Sequence, residues 1–339
     1  MRRLATTRII GELVPIFGAD RIELAKVDGW DCVVPKGQYK AGDMIIYIEV
    51  DSFLPKGDSR WEHLMKPGQI TEFDGRTGYV LKPHEFKGVL SRGLVIPIAE
   101  EESTASLGAD LTALLHIVKY EKPIPDELLA VAIGYTSYLV PTTSLERMEN
   151  IAHQWESLKT LSWEVTEKLH GMAVSYRWEN GKFGVSYSAS RLDFDLNADI
   201  PACNLARKIG LPDWMGSSTR NRVIQGELVG PKICGNYYGL DDYEFYVYDI
   251  FDLDKGDYLS RDLRHAFAWK PGLKIVPELD GNTVLSHWVS SLPDLLQEVQ
   301  GIKSKLNPAK DIEGWVLKTL PLYGDKRQEF KVISPRFKG

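Results

Sequence analysis

Lys168 is the residue from which a chemical interpretation of this chain starts, because it opens the segment Lys168-Leu-His-Gly171 after an alternating, strand-like run. A lysine at the end of a strand can point its amine into a cleft and act as a nucleophile. The glycine that follows indicates a turn. Taken alone the segment is weak evidence, since a solvated lysine at a strand end is ordinary. The residues that follow it decide the interpretation.

An ordered series of polar segments follows Lys168 along the chain: Ser190-Arg191, Gly226-Glu-Leu-Val-Gly230, Phe245-Tyr-Val-Tyr-Asp-Ile250, Glu313-Gly-Trp-Val-Leu-Lys318 and Phe330-Lys-Val-Ile-Ser-Pro335. In this order and with these gaps, the series resembles the nucleotidyltransferase motifs shared by ATP-dependent ligases and mRNA capping enzymes. The Lys-Leu-His-Gly form, the segment Ser144–Glu149 and the Gly-Glu-Leu-Val-Gly run look like RNA ligases of the RNA ligase 2 clade. A domain like an OB fold ahead of the ligase core, with none behind it, is similar to the Deinococcus-type subgroup.

The resemblance implies a first step in which the amine of Lys168 attacks the α-phosphate of ATP and forms lysyl-AMP. The AMP would then pass to a 5′-phosphate end, which is sealed to a 3′-OH RNA end in nicked duplex RNA or RNA/DNA. At the usual lysine pKa of about 10.4, roughly one amine in 2,500 is neutral at pH 7, so we expect desolvation and nearby positive charge to lower it. His170 matches the histidine of the family's Lys-x-His-Gly motif, which assists the departure of pyrophosphate.

Two glutamates and one aromatic residue carry the next expectations from the resemblance. Glu227 and Glu313 would bind Mg²⁺ or Mn²⁺, directly or through water, because such ions prefer oxygen ligands and keep several waters. Glu227 would alternatively bind the ribose hydroxyls. Tyr248 would stack on adenine, since an aromatic face is a tolerant platform for a base.

The resemblance also implies a set of residues around the nucleotide and its phosphates: Arg147, Leu169, Gly171, Arg191, Lys318 and Lys331. Lys318 and Lys331 would supply positive charge at the α-phosphate as pyrophosphate leaves. The planar guanidinium of Arg191 suits a phosphate clamp, and Arg147 would be a further phosphate contact. Gly171 would leave the turn room for the nucleotide.

Two positions depart from the family pattern. Ile333 stands where the last motif usually has a second lysine, so one phosphate contact is missing or comes from another lysine such as Lys326. An alternative alignment places Glu329, and not Lys331, at the first position of that motif. Ala173 stands where the phage-type relatives have a polar residue.

The elements that must position these residues form two expected domains, residues 1–135 and residues 136–339. The first part has short strand runs separated by turn signals, which favours a small β-barrel of the OB type. Prolines around residues 120–141 indicate the junction. Beyond it, strands that alternate, an Asn180-Gly181 hairpin and several helices predict an α+β fold with a mainly antiparallel sheet. The resemblance makes this second domain a nucleotidyltransferase of the ATP-grasp-like ligase type.

The hydrophobic spacing predicts four helices in the second domain: Ser144–Leu161 with Ser144 as its N-cap, Asn197–Lys208, Asp262–Trp269 and Leu292–Leu306. Three cysteines without a CxxC spacing exclude a disulfide framework and a zinc site, so we expect buried, inert thiols at Cys32, Cys203 and Cys234.

Composition excludes several classes of protein. The 339 residues are 43% hydrophobic and 26% charged, which is globular, and no apolar run approaches the roughly 20 residues of a membrane span. A net charge of −6 argues against coating nucleic acid through bulk charge. We therefore expect a soluble monomer in the cytoplasm, or in the nucleus of a eukaryotic host, without a membrane partner.

Two other functions compete with an RNA ligase. A capping-type enzyme would share the lysine chemistry but use GTP, and it places its OB domain after the last motif, where only eight residues follow Lys331 here. A non-catalytic nucleic-acid binder with an OB barrel would have no need of the complete motif series. Covalent labelling by ATP distinguishes these alternatives.

Overall fold

The computed structural model describes residues 3–120, 124, 126–137, 139–269, 273–320 and 327–337. The chain divides into two compact units, Met1–Pro123 and Ile124–Gly339. The division precedes the expected boundary at residue 135, because residues 132–135 form a strand that pairs with Leu192–Phe194 of the second unit. Among the described residues, no helix has the length and apolar character that crossing a membrane requires.

The first unit consists of short strands: β1 Ala5–Ile9, β2 Glu12–Pro15, β3 Ile22–Val27, β4 Trp30–Pro35, β5 Met44–Glu49, β6 Ser52–Pro55, β7 Ile70–Phe73, β8 Arg76–Val80, β9 His84–Phe86, β10 Val89–Ser91, β11 Gly93–Ile96 and β12 Val118–Lys119. They pair in the orders β1-β5-β11, β2-β3-β4, β12-β6-β8-β7 and β9-β10. Alternation along β5 sends Ile46 and Ile48 into one core cluster and Ile45 and Tyr47 into another. Strand β5 therefore joins the two cores of this unit.

The second unit contains the strands β13 Ala132–Tyr135, β14 Glu146–Arg147, β15 Ser162–Lys168, β16 Met172–Glu179, β17 Lys182–Tyr187, β18 Leu192–Phe194, β19 Arg222–Val229, β20 Glu244–Asp252, β21 Asp257–Tyr258, β22 Lys274–Ile275, β23 Glu278–Val284, β24 Gly314–Thr319 and β25 Glu329–Ile333. Its α-helices are α1 Asp126–Val131, α2 Trp155–Leu158, α3 Pro201–Lys208, α4 Leu211–Gly216, α5 Arg261–Trp269 and α6 Leu292–Glu298.

These strands form two sheets of the second unit. The larger has the order β13-β18-β17-β16-β19-β20-β21, with β22 beside β20, and the smaller has the order β14-β25-β24-β15-β23. All the pairs are antiparallel except β14 with β25 and β20 with β22. One face of each sheet carries a core, which includes Val174 and Ile224 in the larger sheet and Val165 and Leu317 in the smaller. Because side chains alternate along a strand, the polar residues between these positions lie on the opposite faces.

The helix expected over Ser144–Leu161 is wrong. Residues 146–147 form β14, a 3-10 helix follows over Met148–Gln154 with a non-helical Ile151, and only α2 is α-helical. Pairing of β14 with β25 removes the first turn from the helix, so Ser144 is not an N-cap. The apolar face persists because Met148 and Ile151 are three residues apart, which matches the period of a 3-10 helix.

Other helices follow the sequence more closely. Helix α5 lies where it was expected, α3 begins at Pro201, four residues after the predicted start at Asn197, and α6 ends at Glu298, eight residues before the predicted end at Leu306. Cys32 and Cys203 are buried, as expected, and burial raises the pKa of both thiols. Cys234 is exposed, which contradicts the expectation, because it starts a 3-10 turn at the surface.

Candidate active site

A cavity of about 370 Å³ opens in the second unit among the faces that the strands leave free of core residues. From the smaller sheet, β15, β24 and β25 contribute Lys168, Lys318 and Lys331. From the larger sheet, β19 and β20 contribute Glu227 and Tyr248. Most of the residues predicted for the site therefore meet in one cavity, although they come from widely separated segments.

Lys168 is held by a carboxylate at the end of β15. Its Nζ lies 2.6 Å from Oε1 of Glu313, and Nδ1 of His170 lies 3.4 Å from Oε2 of the same glutamate. The register explains the contact, because Lys168 pairs with Gly314, the residue after Glu313. The motifs around Lys168 and Glu313 are thus neighbouring ends of two paired strands.

The two glutamates differ in protonation behaviour. Burial, together with the charge of Glu313, raises the pKa of Glu227 to about 7 although Lys168 opposes the shift. Burial also acts to raise the pKa of Glu313, but Lys168 and His170 outweigh it and lower this pKa to about 2. Carboxyl groups whose environments separate their pKa values are typical of sites with distinct roles for each group.

The pKa of Lys168 is raised, which differs from the expected depression. Burial lowers it, as expected, but the carboxylates of Glu313 and Glu227 stabilise the ammonium form more strongly. These two negative charges therefore favour the ammonium form of Lys168 in this state of the site.

The turn after Lys168 is packed tightly against β19. A Cβ placed on Gly171 would lie 2.5 Å from the carbonyl oxygen of Leu228 and 2.9 Å from Cγ of Glu227, so only glycine fits this approach. The backbone N–H of His170 donates to the hydroxyl of Tyr238 at 2.7 Å. Hydrogen bonding to the thiol of Cys234 and to Glu313 raises the pKa of His170 to about 9.

Lys318 belongs to a buried network of charges. Its Nζ donates to the carbonyl of Tyr248 at 2.6 Å and to Oδ2 of Asp249 at 2.9 Å. Arg327 donates to both oxygens of Asp249, at 2.6 and 2.9 Å, and also to Glu329 at 2.8 Å. Burial lowers the pKa of Lys318 although Asp249 opposes the shift. The amine reaches the cavity from a fixed position at its wall.

The remaining predicted residues have different positions. Arg147 pairs with Lys331 across β14 and β25, and its charge acts on Lys168. The guanidinium of Arg191 donates to the carbonyls of Thr136 and Ser137, at 3.5 and 3.0 Å, and is not among the cavity-lining residues. Leu169 lines the cavity, but its side chain is buried in a small apolar cluster.

The departures in the last motif have a clear location. Ile333 lies two residues beyond Lys331 on the same face of β25 and pairs with Gly314. Glu329 also lines the cavity, from the same face. Lys326, the alternative source of a phosphate contact, lies outside the described residues.

Sequence reasoning missed the roles of Asp249, Arg327 and Tyr238. Asp249 stands inside the apolar run Phe245–Phe251, where a charged residue needs a buried partner. That signal was sufficient to predict an ion pair, although not its partners, which are 69 and 78 residues away along the chain. Tyr238 has no comparable signal because its contact with the His170 backbone depends on the loop after β19.

The donor set fits a divalent cation with bound phosphates. Glu227 and Glu313 offer hard oxygen ligands, and burial, with a smaller contribution from the charge of Glu313, raises the pKa of Glu227. Lys318 and Lys331 add positive charge to the cavity lining. Among the described residues, the one group of three or more clustered candidate ligands is Glu164, His265 and Glu278, none of which lines this cavity.

Comparison with known proteins decides the family. A family model described as RNA ligase matches residues 161–338, and a model of an OB-fold domain matches residues 4–98. The chain belongs to the RNA ligase family. The predictions of an RNA ligase, of an N-terminal OB fold and of an α+β second domain are thereby confirmed. A comparison with curated proteins gives no match.

Solved structures of an RNA ligase from Naegleria gruberi are similar to this RNA ligase over nearly its whole length. A lysine-to-alanine mutant with ATP and Mn is 33% identical and has a TM-score of 0.84. The match covers 98% of this chain and 97% of that chain. A glutamate-to-alanine mutant with AMP and Mn has the same identity and coverage and a TM-score of 0.85. A structure with PPi has a TM-score of 0.83, with 33% identity and the same coverage.

Proposed function

We propose that this RNA ligase uses ATP and joins RNA ends through a covalent lysyl-AMP intermediate on Lys168. The observation that carries the proposal is the meeting of Lys168, Glu227, Lys318 and Tyr248 around one cavity of about 370 Å³, with Glu313 2.6 Å from the Lys168 amine. The similar Naegleria structures contain ATP with Mn, AMP with Mn and PPi. AMP and pyrophosphate are the two parts into which the first step would divide ATP.

In the first step, the nitrogen of Lys168 attacks the α-phosphorus, the bond to the bridging oxygen breaks and pyrophosphate leaves. The amine must lose its extra proton before attack, which Glu313 and Glu227 oppose in the state described. A divalent cation held by these carboxylates, directly or through water, would supply the compensating positive charge. His170 would hold a proton near the leaving group because its pKa is about 9.

The other residues of the cavity would bind and orient the nucleotide. Tyr248 offers its ring as a platform for the base, and Lys318 lies 5.6 Å from the centre of that ring. Lys318, Lys331 and Arg147 would stabilise the charge on the α-phosphate. Gly171 lets the backbone approach the nucleotide. Arg191 would have to leave the carbonyls of Thr136 and Ser137 before it could clamp a phosphate.

The proposed substrate is a nick with a 3′-OH RNA end and a 5′-phosphate, in duplex RNA or RNA/DNA. The AMP would move from Lys168 to the 5′-phosphate, and the 3′-OH would then displace AMP as the new phosphodiester forms. Strand joining by the purified chain is the test. We expect a nicked RNA duplex to be sealed with ATP and Mg²⁺ or Mn²⁺, and unpaired ends to be joined more slowly.

GTP in place of ATP tests the capping-type alternative. The test is needed because stacking on an aromatic ring does not by itself distinguish adenine from guanine. We expect no joining and no protein labelling with GTP. Labelling by GTP alone would contradict the proposed nucleotide, and the absence of labelling by either would favour the non-catalytic alternative.

A further inference from the structure

A second cavity of about 200 Å³ lies at the opposite end of the strands that carry the active site. Trp178 pairs with Arg222 across β16 and β19, whereas Ala173 and Glu227 pair at the end near Lys168. Five residues at roughly 3.3 Å each separate these two pairs by about 17 Å. This cavity, named here the Trp214 cavity, is lined by Trp178, Trp214, Arg220, Arg222 and Phe267, together with one methionine and two serines.

Flat aromatic surfaces form the walls of the Trp214 cavity. The rings of Trp214 and Phe267 meet edge to face, with centroids 4.6 Å apart at 73°. The guanidinium carbon of Arg222 lies 4.7 Å from the centre of the Phe267 ring. A Cβ on Gly216 would lie 2.7 Å from the Trp178 ring, so the absence of a side chain there lets the helix approach this wall.

Two arginines line the cavity and give it positive charge. Among the described residues, neither Arg220 nor Arg222 lies within ion-pair distance of a carboxylate, and the buried Nε of Arg222 has no hydrogen-bond partner. Asp252 pairs with Arg222 across β19 and β20, but its Oδ1 accepts the backbone N–H groups of Asp254 and Lys255.

Asp254, the other nearby carboxylate, also accepts hydrogen bonds from elsewhere in the chain. It accepts the backbone N–H and the side-chain amide of Asn221. Burial lowers the pKa of Arg222, and the like charge of Arg220 adds to this effect although Asp252 and Asp254 oppose it. An anion placed between the two guanidinium groups would relieve this repulsion.

We propose that the Trp214 cavity binds one unpaired nucleotide of an RNA strand, with the base on the aromatic walls and its phosphate at Arg220 and Arg222. Aromatic faces beside guanidinium groups are a common way of binding splayed RNA bases. The volume is below the roughly 300–1,000 Å³ of pockets for drug-sized ligands, so it suits a single base. The inference rests on binding of RNA by this ligase, but not on its covalent chemistry.

The experiment measures equilibrium binding of a labelled RNA duplex by the full chain, without ATP. The duplex has either blunt ends or a short single-stranded tail, placed at each end in turn. We expect a tail at one end to tighten binding by about tenfold, the usual effect of one stacked base. Trp214→Ala should abolish this gain while leaving the affinity for the blunt duplex unchanged.

Salt dependence separates the phosphate contacts from stacking. Each phosphate contact to a single strand contributes about 0.7 to the slope of log Kd against log salt. The double variant Arg220→Gln/Arg222→Gln should therefore reduce the slope for the tailed duplex by about 1.4. The variant Lys255→Gln, which removes one exposed positive charge in the nearby β20–β21 turn, is the matched control and should change neither slope nor gain.

Self-adenylylation in the same variants should equal that of the unchanged chain, because the Trp214 cavity is remote from Lys168. This readout monitors folding and separates the inference from the proposed function, since tail binding is measured without ATP. If Trp214→Ala fails to fold, Arg220→Gln decides alone, because that side chain is exposed. A tail that does not improve binding, or a salt slope for the tailed duplex that the arginine variants leave unchanged, would overturn the proposal.

Discussion

Replacing Asp249 by asparagine is expected to destabilise the ligase far more than replacing Lys318 by methionine, although the two residues share one ion pair. The side chains of Asp249, Lys318 and Arg327 are 6%, 4% and 11% exposed. The Asp249 carboxylate accepts two hydrogen bonds from Arg327 and one from Lys318, and Arg264 lies 3.8 Å away. One carboxylate thus compensates several buried cations.

The expected magnitudes follow from which charges remain. Asp249→Asn leaves two buried cations without their common partner, a situation that typically costs about 3–5 kcal/mol in the free energy of unfolding. Lys318→Met removes one cation but leaves Asp249 with both hydrogen bonds from Arg327. Since the buried ammonium no longer has to be desolvated, this variant should lie within about 1 kcal/mol of the unchanged chain.

Urea unfolding at pH 7, followed by circular dichroism, measures both variants. The pKa of Asp249 is lowered, because Lys318 and Arg327 outweigh the effect of burial. Its stabilising contribution is therefore complete above the unfolded pKa of about 3.9 and is lost as the pH falls through the lower folded value. Equal losses of stability in the two variants at pH 7 would refute the reasoning, because they would show that Asp249 serves Lys318 alone.

Three further outcomes are expected from other parts of the molecule. Gly171→Ala should abolish adenylylation, because the alanine Cβ would lie 2.5 Å from the Leu228 carbonyl oxygen, and circular dichroism should show that the fold is retained. Normal activity would show that the turn adapts. Glu278→Gln should reduce the loss of stability below the unfolded glutamate pKa of about 4.3, because hydrogen bonds with Arg261 lower the pKa of Glu278 and their contribution disappears as the pH falls through that lower value. An unchanged pH profile in urea unfolding would contradict this. Deleting residues 1–123 should leave self-adenylylation intact but slow nick sealing, because the OB unit is expected to help position the RNA ends; equal sealing rates of the two pre-adenylylated forms would assign that unit another role.

Motif order was sufficient to predict the family and most of the cavity. Lys168, Glu227 and Lys318 stand at strand ends or on alternating strands, where a period of two already indicates which side chains share a face. The antiparallel pairing of β15 with β24 then brings Glu313 beside Lys168. Local pattern and long-range pairing agree in these segments, so the sequence was informative there.

Elsewhere, long-range contacts outweigh the local pattern. The spacing around Ser144–Leu161 suits a helix, but pairing of β14 with β25 competes with it and wins. Arg191 carries a motif position, yet its guanidinium is bound by two backbone carbonyls from residues 136–137. The pKa of Lys168 also depends on carboxylates at residues 227 and 313, whose distances no local pattern encodes.

Covalent attachment of AMP to Lys168 is tested most directly by intact-protein mass spectrometry after incubation with ATP and Mg²⁺ or Mn²⁺. The unchanged chain should gain the mass of one AMP, peptide mapping should place the adduct on Lys168, and Lys168→Ala should show none. Lys159→Ala, a lysine on the segment before β15, is the matched control and should gain AMP normally. An adduct that persists in Lys168→Ala, or a chain that is never modified by ATP, would contradict the assignment of Lys168 as the nucleophile of this RNA ligase.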